Sequence, residues 1–143
     1  MKKIQAVKHG QHIPDILQAI GQVHSVIDGH GLDRTLYHLV LLRASQINQC
    51  DYCIEMHTHE AKEDGESVER LNCVKDWYKY DIFSSQEKAA FSWTETLTNL
   101  DELSRLGELR AELRQHFTDK EISLLTVNIA MINLWNRIRI SEH

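Results

Sequence analysis

Proline occurs once and glycine six times in 143 residues, too few chain breakers for a turn-dense β-sandwich, a collagen-like repeat or a long flexible linker. Excess positive charge is missing too. Lys and Arg total 16 against 21 for Asp and Glu, a formal net charge of -5, which leaves no electrostatic footprint for a nucleic-acid partner. No segment reaches the ~20 consecutive apolar residues that a membrane-spanning helix needs. The most apolar stretch, Ile122 to Trp135, is interrupted by Thr126, Asn128 and Asn133 and reads as a buried helix. The opening Met1-Lys2-Lys3-Ile4-Gln5 runs into polar, histidine-containing sequence where a secretory signal would have its apolar stretch. Three cysteines are an odd number, so a fully paired disulfide framework within one chain is excluded. The expectation is a cytoplasmic protein with neither a membrane nor a nucleic-acid partner.

What remains is helical periodicity. Apolar residues recur at three- and four-residue intervals, with no alternating pattern of useful length. Pro14 suits the first turn of a helix carrying Leu17, Ile20, Val23 and Ile27 and ending near Gly29 and Gly31. Asp33 caps a second, with Leu36, Val40, Ala44 and Ile47 on its buried face, and Gly65 closes a third that bears two cysteines. Ser67 caps a short fourth, with Val68, Leu71, Val74 and Tyr78 on one face. Ser84-x-x-Glu87 and Thr118-x-x-Glu121 have the reciprocal capping pattern. The first opens a helix burying Ala90, Trp93, Leu97 and Leu100; the second opens a long one from Asp119 to about Ile140, and Leu106, Leu109 and Leu113 align between them. The long helix is apolar on more than one side, so it is expected at the centre of the core, partly covered by other subunits. The fold class expected is all-α: one domain over residues 1–143, a bundle of about six or seven helices.

Chemistry concentrates in one place. Cys50, Cys53 and His57 form C-x-x-C-x-x-x-H, and positions i, i+3 and i+7 share one side of a helix. If that helix starts at Cys50 or Asp51, its free N–H groups and positive dipole end favour thiolate over thiol. An imidazole one turn beyond Cys53 can take the thiol proton, and the second thiol can close a disulfide on an oxidised first sulfur. The pair alone is only moderately specific, because two such cysteines also occur as half a zinc site or as core thiols. The thioredoxin reading lacks its βαβ surroundings. Cys73 reads as a buried small residue, the three tryptophans as core or subunit anchors, and His9, His12, His24 and His30 show no metal-ligand spacing.

The longer string Leu41-Leu42-Arg43-Ala44-Ser45-Gln46-Ile47-Asn48-Gln49-Cys50-Asp51-Tyr52-Cys53-Ile54-Glu55-Met56-His57-Thr58-His59-Glu60-Ala61 closely resembles the signature of the carboxymuconolactone decarboxylase and alkylhydroperoxidase D-like superfamily. Gly65-Glu66-Ser67-x-x-Arg70-Leu71, Trp77 and the tail Asn128 to Arg137 extend the similarity over most of the chain. The resemblance implies an all-α fold assembled as homotrimers or homohexamers, with peroxidase or related thiol redox activity. It makes Cys53 the peroxide-attacking cysteine, Cys50 its disulfide partner and His57 the proton-relay histidine. No metal or organic cofactor is implied, and the electrons come from a separate thiol or dithiol donor. The retained cysteine pair disfavours lactone decarboxylation, whose members generally lack it. One position departs: the family's relay carboxylate usually stands twelve residues before the first cysteine, where this chain has His38. A neutral imidazole lacks the negative charge that would favour imidazolium at His57, so an altered, weaker relay is expected, with Glu60 as a substitute or simply a solvated side chain. Two other readings stay open: a metal-binding structural or regulatory module using Cys50, Cys53, His57 and His38, and a redox-inactive oligomeric interaction protein.

Overall fold

The computed structural model describes residues 4–143; the Lys2-Lys3 pair weighed above lies outside them. Eight α-helices follow in order: α1 His9–His12, α2 Pro14–Asp28, α3 Arg34–Ile47, α4 Asp51–Glu63, α5 Val68–Cys73, α6 Ser85–Asn99, α7 Leu106–Leu113 and α8 Asp119–Ile140. Short 3-10 turns at Val74–Lys79 and Leu103–Arg105 join the later ones, and no strand occurs among the described residues. The count exceeds the expected six or seven because of the single turn α1, which buries no residue and leaves no apolar periodicity to read.

The helix ends follow local chemistry. Asp33 accepts from the backbone N–H groups of Thr35 and Leu36, Ser67 from that of Arg70, and both Ser84/Glu87 and Thr118/Glu121 form complete reciprocal caps. Each satisfies N–H groups that the helix itself leaves free, for about 1 kcal/mol apiece. Gly65 ends α4 at φ 94°, the left-handed geometry that lets Glu66 N–H reach back to the Ala61 carbonyl (2.9 Å) and costs glycine little.

The centre of the molecule is α3 rather than α8. Leu36, Leu39, Val40, Leu41, Leu42, Ala44 and Ser45 of α3 are all buried, and α3 packs against α4, α6 and α8. It supplies side chains to each of three hydrophobic clusters: Leu36 and Val40 meet Ala90, Trp93, Leu113, Leu125 and Ile129; Leu39 and Leu42 meet Ala61, Leu71, Val74 and Phe91; Leu41 and Ala44 meet Ile132. Burying one such side chain contributes about 1.5–3 kcal/mol.

Other helices are less covered than their apolar content suggests. On α8, Ser123, Val127 and Ala130 are exposed at helical spacing. Ile27 is the sole buried residue of α2, and Val26 is 65% exposed. Leu100 is 64% exposed as the left-handed residue ending α6. The expected fourth helix breaks after Cys73 because Asp76 leaves helical geometry (φ -133°, ψ 42°); Leu71 and Val74 stay buried, whereas Val68 and Tyr78 face outward.

Candidate active site

The turn from α3 into α4 sets the position of the cysteines. Asn48 donates from Nδ2 to the side-chain oxygens of Asn133 and Asn136 on α8, each at 2.9 Å, and Asn136 donates in turn to Ser45 Oγ at 3.1 Å. This clamp holds Gln49 at φ 55°, a left-handed geometry that costs a non-glycine residue about 1–2 kcal/mol. The reversal delivers Cys50 to the N-cap of α4, where its N–H bonds the Ser45 carbonyl (3.1 Å). Cys53 follows within the first turn, and a disulfide joins the two with Cα atoms 5.2 Å apart. Both are buried, Cys53 to 3% exposure. Their place at the positive end of α4 favours thiolate once the pair is reduced.

One turn on, His57 is 6% exposed, and neither ring nitrogen has a hydrogen-bond partner. Its Nδ1 lies 3.5 Å from Glu60 Oε2, an ion-pair distance without hydrogen-bond geometry. Burial pushes the His57 pKa below the ordinary imidazole range, Glu60 opposes that shift, and the fields of His38 and His24 reinforce it. A neutral imidazole is a proton acceptor at neutral pH.

Cys53, His57 and Glu60 line one wall of a cavity of about 320 Å³. Its other walls are mainly apolar and aromatic: Leu41 and Tyr37 from α3, Tyr52 from α4, and Ile132 and Trp135 from α8. Trp135 Nε1–H donates to His24 Nε2 at 2.7 Å, so α2 closes the cavity through a stacked Trp–His pair. Burial raises the Tyr37 pKa, so its hydroxyl keeps its proton. At the mouth, Arg139 lies over the Tyr52 ring (4.1 Å to the centroid) and pairs with the buried Glu142 at 3.3 Å.

His38 does not line this cavity. It is 1% exposed in α3, with Nε2 2.5 Å from Asp64 Oδ2, and Arg34 Nε donates to the same oxygen at 2.8 Å. The hydrogen bond from His38 and then that from Arg34 hold the Asp64 carboxyl below its usual range. No group of three or more ligating side chains is placed to hold a metal ion among the described residues, so the Cys50, Cys53, His57 and His38 set is not assembled.

A model of the carboxymuconolactone decarboxylase family matches residues 14–96, more than half of the chain and all four of these candidate residues. The chain belongs to the carboxymuconolactone decarboxylase family. A relative within that similarity is the uncharacterized protein YdfG of Bacillus subtilis, 31% identical over 137 residues, which are 96% of this chain and 93% of YdfG. Among solved structures, a protein of unknown function from Agrobacterium tumefaciens, for which the name AhpD, an antioxidant defence protein, has been suggested, superposes at TM-score 0.91. It is 32% identical, and the match covers 96% of this chain and 94% of that one. The debrominase Bmp8, solved with 2,3,4-tribromopyrrole, shares the fold at TM-score 0.82 and 18% identity, over 94% of this chain and 71% of its own.

Several of this family member's side-chain pairings, one at the cavity and one outside it, have no signal in the sequence. His24 and Trp135 meet across 111 positions and His38 and Asp64 across 26, so neither pair has a periodicity that marks it. Tyr37 and Tyr52 are hinted at only by their neighbours His38 and Cys53.

Proposed function

We propose that this protein is a cytoplasmic thiol peroxidase that reduces hydroperoxides through a Cys50/Cys53 dithiol–disulfide cycle, with His57 relaying protons. The supporting observation is that Cys53 and His57 both line an apolar cavity while Cys50, outside that lining, is disulfide-bonded to Cys53. The Cys53 thiolate attacks a peroxide oxygen and the O–O bond breaks. The departing alkoxide takes up the proton held by His57, and Cys53 becomes a sulfenic acid. Cys50 then attacks that sulfur, water leaves and the disulfide forms. Two thiols and one hydroperoxide thus yield a disulfide, an alcohol and water. An external thiol or dithiol donor must return two electrons for the next turnover.

Peptide mapping after stoichiometric peroxide tests the site. Fully reduced protein should close Cys50 to Cys53 and leave Cys73 as a thiol; a dominant disulfide through Cys73 would sink the assignment.

The active assembly is a homotrimer or homohexamer. The uncovered faces of α8 and α2 support this, because Val127 is 43% exposed and lines an apolar groove with Val23, Val26 and Leu124. Light scattering should report three or six chains, and Val127→Lys should shift the population towards the monomer. A stable monomer in the unaltered protein would refute it.

A further inference from the structure

A hydroperoxy group is two oxygen atoms, whereas the cavity beside Cys53 measures about 320 Å³, so most of its space faces whatever that group is attached to. The walls favour a ring. Tyr37 of α3, Tyr52 of α4 and Trp135 of α8 line the cavity from three helices, together with Leu41 and Ile132, each 2% exposed. A bound ring gains from edge and face contacts with such side chains beyond what its buried area gives. The three are not equally free. Arg139 lies over Tyr52, 4.1 Å from its centroid, and Tyr37 stands edge-on to His38. Trp135 stacks on His24 with 22° between the ring planes, and its N–H, which can only donate, is taken by His24 Nε2 at 2.7 Å. The indole therefore meets the cavity as a fixed ring with no polar demand of its own.

Charge narrows the choice further. The lining holds two carboxylates, Glu60 and Glu142, against the one guanidinium of Arg139. Arg139 is already engaged, by Glu142 at 3.3 Å and by the Tyr52 ring. Glu142 is only 7% exposed, so an entering carboxylate that drew Arg139 away would strand a buried charge. We propose that the cavity selects hydroperoxides bearing an aromatic ring and no charge, and that Trp135, held by His24, is the residue that sets the preference for the ring. The inference rests on the dithiol reading above and names the substrate of that same site. Its chemistry is unchanged: an aryl-bearing hydroperoxide and the two thiols give the corresponding alcohol, water and the Cys50–Cys53 disulfide.

The test is stopped-flow oxidation of fully reduced protein by three probes: cumene hydroperoxide, tert-butyl hydroperoxide, which has a methyl group in place of the ring, and cumene hydroperoxide carrying a para-carboxylate. Each rate is divided by that of the same probe with free dithiothreitol, which removes intrinsic reactivity. Wild type should favour cumene hydroperoxide over tert-butyl hydroperoxide about 3- to 10-fold, the reach of one aromatic contact, and should oxidise more slowly with the carboxylated probe. Trp135→Leu should erase the preference for the ring, while Trp135→Phe, which restores a ring without the N–H, should keep most of it. Equal corrected rates for the two neutral probes in wild type overturn the inference. So does a preference that survives Trp135→Leu, or a carboxylated probe that outruns its neutral parent. In each of those cases oxidation faster than that of the free thiol leaves the peroxidase reading intact, whereas a wild type that no probe oxidises faster than the free thiol overturns both.

Discussion

Arg70 and His57 stand at the centres of two part-buried ionisable clusters built on opposite rules. The Arg70 guanidinium donates from Nε to Glu66 (2.9 Å), from one terminal nitrogen to the Ile82 carbonyl (2.7 Å) and from the other to Glu87, and it lies over the Phe83 ring. Glu87 is pushed up by burial, yet the bond from Arg70 and those at Ser84 outweigh that and hold it below the ordinary carboxyl range. Its other duty is the reciprocal cap that starts α6. Around His57 the balance reverses: burial dominates, Glu60 at 3.5 Å opposes it only in part, and no protein group meets hydrogen-bond geometry with either ring nitrogen. The comparison teaches that a polar cluster whose charges are held by direct hydrogen bonds fixes architecture, whereas a buried imidazole at a cavity wall, not bonded to any protein group, is equipped to exchange protons.

That contrast can be broken at either end. The largest expected effect is on Arg70→Met, which strands two carboxylates of low exposure; losing one partner of such a network costs about 3–5 kcal/mol, and partial exposure places the expectation near the lower figure. Urea denaturation should show that loss, while the rate of Cys53 oxidation in the folded fraction should stay within about twofold. A large rate defect without destabilisation would collapse the distinction.

His57→Gln should do the reverse, lowering the oxidation rate about 100-fold, within the usual reach of general acid–base catalysis, and changing stability at neutral pH little. A smaller effect sharpens the comparison further. Because the folded pKa of His57 is depressed, the unfolded chain takes up a proton that the native imidazole refuses, so stability falls as pH drops from about 6.5 towards the native value. His57→Gln should flatten that part of the profile. Denaturation midpoints at pH 7.5 and pH 5, read on the disulfide form of both proteins, measure the difference; parallel profiles would mean that His57 titrates normally.

How much of this was legible depended on the range of the interaction. The caps at Asp33, Ser67, Ser84 and Thr118 are local hydrogen bonds, so three or four consecutive residues announce them. C-x-x-C-x-x-x-H was legible for the same reason, one helix turning its own residues to one side. The choice of central helix was not. Both α3 and α8 are rich in apolar residues, and apolar content records how much surface wants cover, without recording whether this chain or another provides it. Only packing shows α3 surrounded and α8 open along Ser123, Val127 and Ala130. Asp64 was hidden differently: an exposed-looking acid after a helix is ordinary, and its meaning comes from His38 being folded against it from 26 residues away.

Cys73 gives the molecule a built-in standard. It is a free, partly exposed thiol on α5, packed beside the Leu71 and Val74 cluster and outside the lining of the Cys53 cavity. A count of titratable sulfhydryls per chain therefore reads one when the Cys50–Cys53 disulfide is closed and three when it is open. The state of the pair is available as an integer, calibrated within each sample by a sulfur that should not change.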